Sequence, residues 1–260
     1  MIPARYRSGK ILYGDDFDPD QIEAWFRDEE TAYGLLPVAQ GPYAFRAFNE
    51  FHAYRFLRRQ RYGACLAIGC YDGRDIEPIA NHIDHIFALE PDASVVPQTI
   101  GETPTIHIKP ATSGTIGLED DSVDLVTSFG VLHHIPNVSH VLSELVRVLR
   151  PGGLIVIRET SSSMGDWSTP RPGLTPHERG ISPAFLKDRL AGLKLLRFRQ
   201  VMWRPTYKLK GLIRCPFNSM PIVIADWLAS EAFRWNNRYW RDRKLDFFGP
   251  SSVLVIAQKV

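Results

Sequence analysis

From about residue 60 onward, the chain alternates short continuous apolar runs with stretches of helical periodicity. Ala64–Ile68, His85–Leu89, Thr105–Ile108, Val123–Thr127 and Leu154–Ile157 each read as a buried strand. Between them, Asp75–His82 is helical in character. Val138, Val141, Leu142, Leu145 and Leu149 keep the i, i+3, i+4, i+7 spacing of a half-buried helix. Asn137 is the expected N-cap of that helix, Arg147 and Arg150 suit its negative end, and Pro151-Gly152-Gly153 stops it. Ser182–Leu190 predicts a further helix, Leu193–Val201 a sixth strand and Ser252–Ala257 a last strand with no helix after it. Residues 203–250 are too long for a loop and predict a helical insertion with apolar Ile222–Leu228 and aromatic Phe233–Trp240. Residues 1–60 predict two helical stretches, Gln21–Ala32 and Tyr43–Arg61. Strands that are continuously apolar rather than alternating belong to a parallel sheet covered on both faces, so the expected class is α/β, doubly wound.

Composition narrows the function classes. The chain has 260 residues, 44% apolar content, and 31 basic against 29 acidic side chains, enough to bury a core. The 19 Gly and 19 Pro show no period, and three Cys without a CxxC pair exclude a disulfide scaffold. The amino end carries charge without an apolar stretch behind it, and Met220–Ala229 is too short to span a bilayer, so the expectation is a cytoplasmic protein. Charge is unevenly spread. Between Arg189 and Lys244 stand 13 basic residues and three acids, which suits a solvated basic face over packed aromatics or an anionic partner.

In an open parallel sheet, ligands bind outside the carboxyl ends of the strands, where strand order reverses. The first strand ends in Gly69-Cys70-Tyr71-Asp72-Gly73, whose glycines allow positive φ and close backbone approach to a ligand. Glu90 closes the second strand, 21 residues after Gly69, where a carboxylate can accept hydrogen bonds from ribose hydroxyls. The combination points to an adenosine-bearing cofactor.

Here the sequence resembles the class I S-adenosylmethionine-dependent methyltransferases, in particular small-molecule enzymes like the ubiquinone/menaquinone group. Residues 66–73, 118–126 with Val131-Leu132-His133-His134-Ile135, and 145–154 are similar to three motifs of that family in order and spacing. The resemblance covers roughly residues 60–200 and the last strand. It implies a mostly parallel seven-stranded, Rossmann-like sheet with an antiparallel last strand, and S-adenosyl-L-methionine as cofactor. It places Gly69, Cys70, Tyr71, Asp72, Gly73, Asp75, Glu90, Pro91, Thr112, Ser113, Phe129 and Gly130 at the cofactor. Three positions depart from the family pattern: Ala67 stands for an acidic residue, Tyr71 for the middle glycine, and Thr112 for an aspartate beside adenine. Asp72 or Asp75 then becomes the candidate for the cofactor's ammonium, and Tyr71 either lies over the sulfonium or points outward.

The expected reaction is O-methylation of a small molecule or glycan precursor by in-line displacement. Residues 1–60 would form a lid, 61–202 with 251–260 the cofactor-binding core, and 203–250 an acceptor-binding cap. His177, His134 and Glu159 are the candidate bases, His being matched to proton transfer near neutral pH. Of the adjacent His133 and His134, at most one is expected to reach the active site. His82 and His85 lack ligand-spaced partners, so no metal site is expected. Nucleic acid is the less favoured partner, and the oligomeric state is left open. Competing readings are an inactive methyltransferase-like binding module, an RNA methyltransferase using the basic 189–244 segment, and a nicotinamide oxidoreductase. The last lacks a third glycine in register and a Tyr-x-x-x-Lys pair.

Overall fold

The computed structural model describes residues 2–35, 42–167, 169, 171 and 173–260. Met1 and residues 36–41 of the predicted lid, and residues 168, 170 and 172 of the predicted core, lie outside the described residues. Eight strands form one sheet: β1 Tyr62–Ile68, β2 Ile83–Leu89, β3 Thr99–Ile100, β4 Thr103–Ile108, β5 Val123–Phe129, β6 Leu149–Thr160, β7 Leu193–Trp203 and β8 Pro250–Lys259. Their order is β3-β4-β2-β1-β5-β6-β8-β7. Strands β4, β2, β1, β5 and β6 pair in parallel, and β8 is antiparallel to both β6 and β7. Strand order reverses between β1 and β5, so their carboxyl ends flank the crevice where such sheets bind ligands.

The apolar runs are continuous because both sheet faces are buried. Along β1, Ala64, Leu66 and Ile68 join one core, whereas Cys65 and Ala67 join the other. The first core is covered by helix Val138–Val148, through Val138, Val141, Leu142, Leu145 and Val148, and by helix Pro183–Arg189. The second is covered by Phe48, Tyr54 and Leu57 of the Arg46–Leu57 helical run, by Ile76 and Ile79, and by Phe217 and Val223. Among the described residues, no helix is long and apolar enough to cross a membrane.

Several expectations need correction. The sheet has eight strands rather than seven, because the two-residue β3 turns back through Gly101 (φ +60°) to pair with β4. Asn137 does not cap its helix: its side-chain amide donates to Ser113 O at 2.6 Å. Pro151-Gly152-Gly153 does not separate helix from strand. The helix ends at Val148, β6 begins at Leu149, and residues 150–153 bulge opposite Asp124, with Gly152 at φ +81°. Within the predicted insertion, Met220–Ala232 is helical, but the aromatic run Phe233–Trp240 is irregular. Tyr239 there is buried, donating to Gly180 O, whereas Trp235 faces solvent, so the run has no single apolar face.

Candidate active site

The bend after β1 is held by Gly69 N donating to Leu89 O at 2.9 Å. Gly69 has φ +59°, and a Cβ there would lie 2.6 Å from Val131 Cγ2, so the loop after β5 closes onto the bend. Gly73 (φ +79°) is required for a different reason, since its Cβ would lie 2.5 Å from Ile100. Tyr71 keeps a left-handed backbone, φ +52°, although it is not glycine. Its amide donates to Glu90 Oε2 at 3.1 Å. Glu90 is fixed further by its own amide on Ile108 O (3.1 Å) and by His107 Nε2 on its carbonyl (2.7 Å). Burial pushes the Glu90 carboxyl up, and the Tyr71 amide works against that rise. Among the described residues Glu90 Oε1 has no hydrogen-bond partner.

The other residues assigned to the cofactor divide into two groups. Tyr71, Pro91, Thr112 and Ser113 are exposed. Cys70, Asp75 and Phe129 are buried, and the Cys70 thiol is pushed up by burial. Asp72 is ion-paired with Arg74 (Oδ2–Nε 2.6 Å). Asp75 is buried with Oδ1 unpartnered, and desolvation raises its carboxyl to about 7 despite the nearby Arg158 charge. Gly130, at φ +82°, donates to Arg158 O at 2.8 Å.

Sequence reasoning missed the network around Arg158. Its guanidinium donates to Tyr43 Oη (3.1 Å), Asn49 Oδ1 (3.3 Å) and Phe129 O (3.2 Å), and lies 4.1 Å from the Phe45 ring centroid. Tyr54 Oη donates to Asp75 O and receives Asn49 Nδ2 at 2.9 Å. Helix 46–57 is thereby tied to the ends of β5 and β6. A lone Arg in an apolar strand was the available signal.

Glu159, at the carboxyl end of β6, is fully buried. Its Oε1 accepts Val131 N and Leu132 N, each at 2.7 Å, and its Oε2 accepts His133 Nδ1 at 2.8 Å. Burial pushes its carboxyl up, but His133 and the two amides prevail and hold it below the usual range. Burial depresses His133, yet Glu159 and Glu178 together raise it. His134 is lowered by burial and by His133, while its Nδ1 sits 2.9 Å from Glu29 Oε2. The two imidazoles, expected to diverge, lie 4.1 Å apart and share Glu178 as a neighbour. A 3-10 turn over Leu132–His134 makes this possible, because consecutive residues no longer alternate as in a strand. His177 stands apart, with Nε2 2.7 Å from Asp28 Oδ2 and its ring stacked on Trp25 at 4.7 Å. Among the described residues, no contact joins His177 to the 69–73 bend.

These residues fit a nucleoside cofactor at the crevice. Glu90 presents a preoriented carboxylate, Gly130 leaves room at its Cβ position with nothing nearer than 3.8 Å, and the buried atoms Asp75 Oδ1 and Ser128 Oγ lack partners. Two clefts lie elsewhere. One of about 450 Å³ runs between Arg7–Ser8, Ser182–Ala184 and Asn237–Trp240, and one of about 540 Å³ lies beside Glu77–Asn81 and Gly101–Pro104.

Comparison with known proteins bears on the domain and the fold. Residues 66–157 match a family described as "Methyltransferase domain". A Mycolicibacterium smegmatis protein named "Probable S-adenosylmethionine-dependent methyltransferase" is 31% identical over 129 residues, 50% of this chain and 49% of that protein. A Mycobacterium tuberculosis protein of the same description is 29% identical over 92 residues, 35% of this chain and 34% of its own. The chain thus spans about half the length, or less, of these curated relatives. Among solved structures, a SAM-dependent methyltransferase from Archaeoglobus fulgidus superposes with a TM-score of 0.52 at 17% identity, covering 79% of this chain and 90% of that one. One from Mesorhizobium loti gives 0.50 at 14% identity, covering 78% and 96%. At these identities the structures speak to the fold alone. Residues 66–157 thus carry a methyltransferase domain on a Rossmann-like methyltransferase fold.

Proposed function

We propose that the protein transfers a methyl group from S-adenosylmethionine to a hydroxyl of a small molecule or glycan precursor. The observation that carries this reading is the Glu90 carboxylate, held at the end of β2 by the Tyr71 amide with one oxygen remaining for a ribose hydroxyl. The cofactor, when bound, supplies an electrophilic methyl on a good leaving group. The chain's part is then alignment and exclusion of water. In this reading Gly69, Tyr71, Thr112, Ser113 and Gly130 bound the cofactor groove. Asp75, with its unpartnered oxygen, is the acid for the ammonium, since Asp72 is engaged by Arg74. Glu159 is a positioning residue: both its oxygens hold the loop after β5. His177, oriented by Asp28, is the candidate to accept the hydroxyl proton.

Residues 1–60 serve as the lid and 203–250 as the cap of the acceptor site in this proposal. Exposed Trp235 and Phe247 on the cap supply faces for stacking on a ring. An RNA acceptor is the second reading: nine of the 13 basic side chains between Arg189 and Lys244 are exposed, and the other four are engaged within the fold. Arg197 lies 3.8 Å from the Phe56 ring centroid, Arg199 5.0 Å from Trp227 and Arg204 4.8 Å from Phe247, while Arg241 donates to backbone carbonyls. Incubation with methyl-tritiated S-adenosylmethionine and a fractionated cell extract tests the reading. Label in the low-molecular-weight fraction is expected, and label confined to RNA would overturn it.

A further inference from the structure

The side chains converging beneath the loop after β5 include more buried carboxylates than cations to pair with them. Glu29, Glu159 and Glu178 are 5%, 1% and 6% exposed, and they surround the two adjacent imidazoles of His133 and His134. The nearest guanidiniums, Arg171 and Arg179, act on these carboxylates only at a distance and make no hydrogen bond to them. Arg179 donates to Tyr13 O, Leu132 O, Ile135 O and Pro136 O, and Arg171 to Met164 O, Thr175 O, Pro176 O and Glu178 O, all backbone carbonyls. A buried carboxylate without a hydrogen-bonded cation is costly, so the cluster calls for positive charge at its centre. A proton on an imidazole is one source. The geometry favours another.

We propose that His133 Nε2, His134 Nδ1 and the carboxylates of Glu178 and Glu29 form a binding site for a divalent transition-metal cation. Ligand atoms of His133, His134 and Glu178 lie within 4.8 Å of one another. His133 Nε2 is 3.9 Å from Glu178 Oε2, His134 Nδ1 is 4.0 Å from Glu178 Oε1, and Glu29 Oε2 is 2.9 Å from His134 Nδ1. Around a zinc-sized ion with bonds of about 2.0–2.2 Å, ligand atoms stand about 3–4 Å apart, so small side-chain rotations close the shell. Two imidazoles and two carboxylates balance a dication in charge, and this mixed N/O set suits zinc, manganese or iron(II) rather than calcium or magnesium.

The partners behind the donors support the assignment. His133 gives its Nδ1–H to Glu159 Oε2 at 2.8 Å, which fixes the tautomer that leaves Nε2 as a ligand; metal-bound histidines are commonly oriented in this way. Glu178 Oε1 is steadied by Thr175 N at 2.8 Å, and Glu29 Oε1 by Thr175 Oγ1 at 2.7 Å. One threonine therefore aims both carboxylates. The donors come from three segments, helix Pro19–Leu35, the turn Leu132–His134 and the loop before Ile181, so an ion there would clamp the amino-terminal segment to the sheet. His133 Cε1 lies 3.8 Å from the Cβ position of Gly130, which brings the site close to the proposed cofactor groove.

The test is titration of the full chain, stripped with chelator and desalted, with cobalt(II), read by visible ligand-field absorption. One equivalent is expected to develop bands that zinc then abolishes. Glu178→Gln, nearly isosteric, is expected to weaken cobalt binding at least tenfold with an unchanged circular dichroism spectrum, while His85→Ala leaves the titration as it was. Absence of bands at stoichiometric cobalt would overturn the site and leave a proton as the neutralising charge. Bands that persist unchanged in Glu178→Gln would overturn it equally. Neither result depends on whether the chain binds S-adenosylmethionine.

Discussion

Asp15 accepts the backbone amide of Ser139 at 2.7 Å, and the Ser139 hydroxyl donates to the same carboxylate. The amino end of helix Val138–Val148 is thus capped by a residue 124 positions earlier, while Asn137 at the local cap position reaches Ser113 instead. This bond stitches the amino-terminal segment to the helix covering the sheet. Asp15→Ala is expected to cost about 1 kcal/mol, the usual value of an N-cap, or about 2–4 °C in melting temperature for a chain of this size. Asp15→Asn should recover most of it. Thermal unfolding of the two variants measures both.

Of the three left-handed residues in the bend after β1, Gly69 and Tyr71 have opposite tolerances. Gly69→Ala brings a methyl within 2.6 Å of Val131 on top of an unfavourable φ, so it should destabilise by about 1–3 kcal/mol. Tyr71→Gly relieves about 1–2 kcal/mol of left-handed strain and loses a similar amount to the greater entropy of an unfolded glycine. Its melting temperature should therefore stay within a few degrees of the parent. Urea denaturation at one pH separates the two cases.

Asp75 ties stability to pH. Its carboxyl is raised to about 7 in the fold, mainly by desolvation, against 3.8 when unperturbed. The native state therefore holds a proton that the unfolded state has lost. Stability from this group is full below about pH 4 and declines as pH rises to about 7, by at most about 4 kcal/mol. Asp75→Asn removes the titration. It should match the parent at pH 4–5 and exceed it in urea midpoint at pH 8; an equal difference at both pH values would contradict the account.

His177 is the base candidate of the proposed reading, oriented by Asp28 at 2.7 Å. His177→Ala is expected to lower turnover with the identified acceptor by about 10²–10⁴-fold while leaving S-adenosylhomocysteine affinity within twofold. The reverse pattern would remove it from the chemistry. Initial rates and calorimetry on the same preparation give both numbers.

The strands and the order of elements were legible because a parallel sheet buried on both faces writes itself as uninterrupted apolar runs, as in Ala64–Ile68. Glu90 was legible because its position follows from the spacing of one β-α-β unit. What sequence spacing concealed was convergence. Asp15 on Ser139, Arg158 on Asn49 and Tyr43, and Glu29 with Glu178 on the histidine pair each join residues 44 to 124 positions apart. Local spacing brings only neighbours such as His82 and His85 into view, whereas the donors proposed here meet through tertiary packing. The conformation of residues 131–135 was hidden likewise, since the 3-10 turn that aligns the two imidazoles is anchored by Glu159 from the neighbouring strand.

The most direct measurement is isothermal calorimetry of S-adenosylhomocysteine binding to the parent chain and to Glu90→Ala. The account predicts one site per chain in the parent and at least tenfold weaker affinity in the variant, from the loss of charge-assisted hydrogen bonds to the ribose. Equal affinities in the two proteins would contradict it.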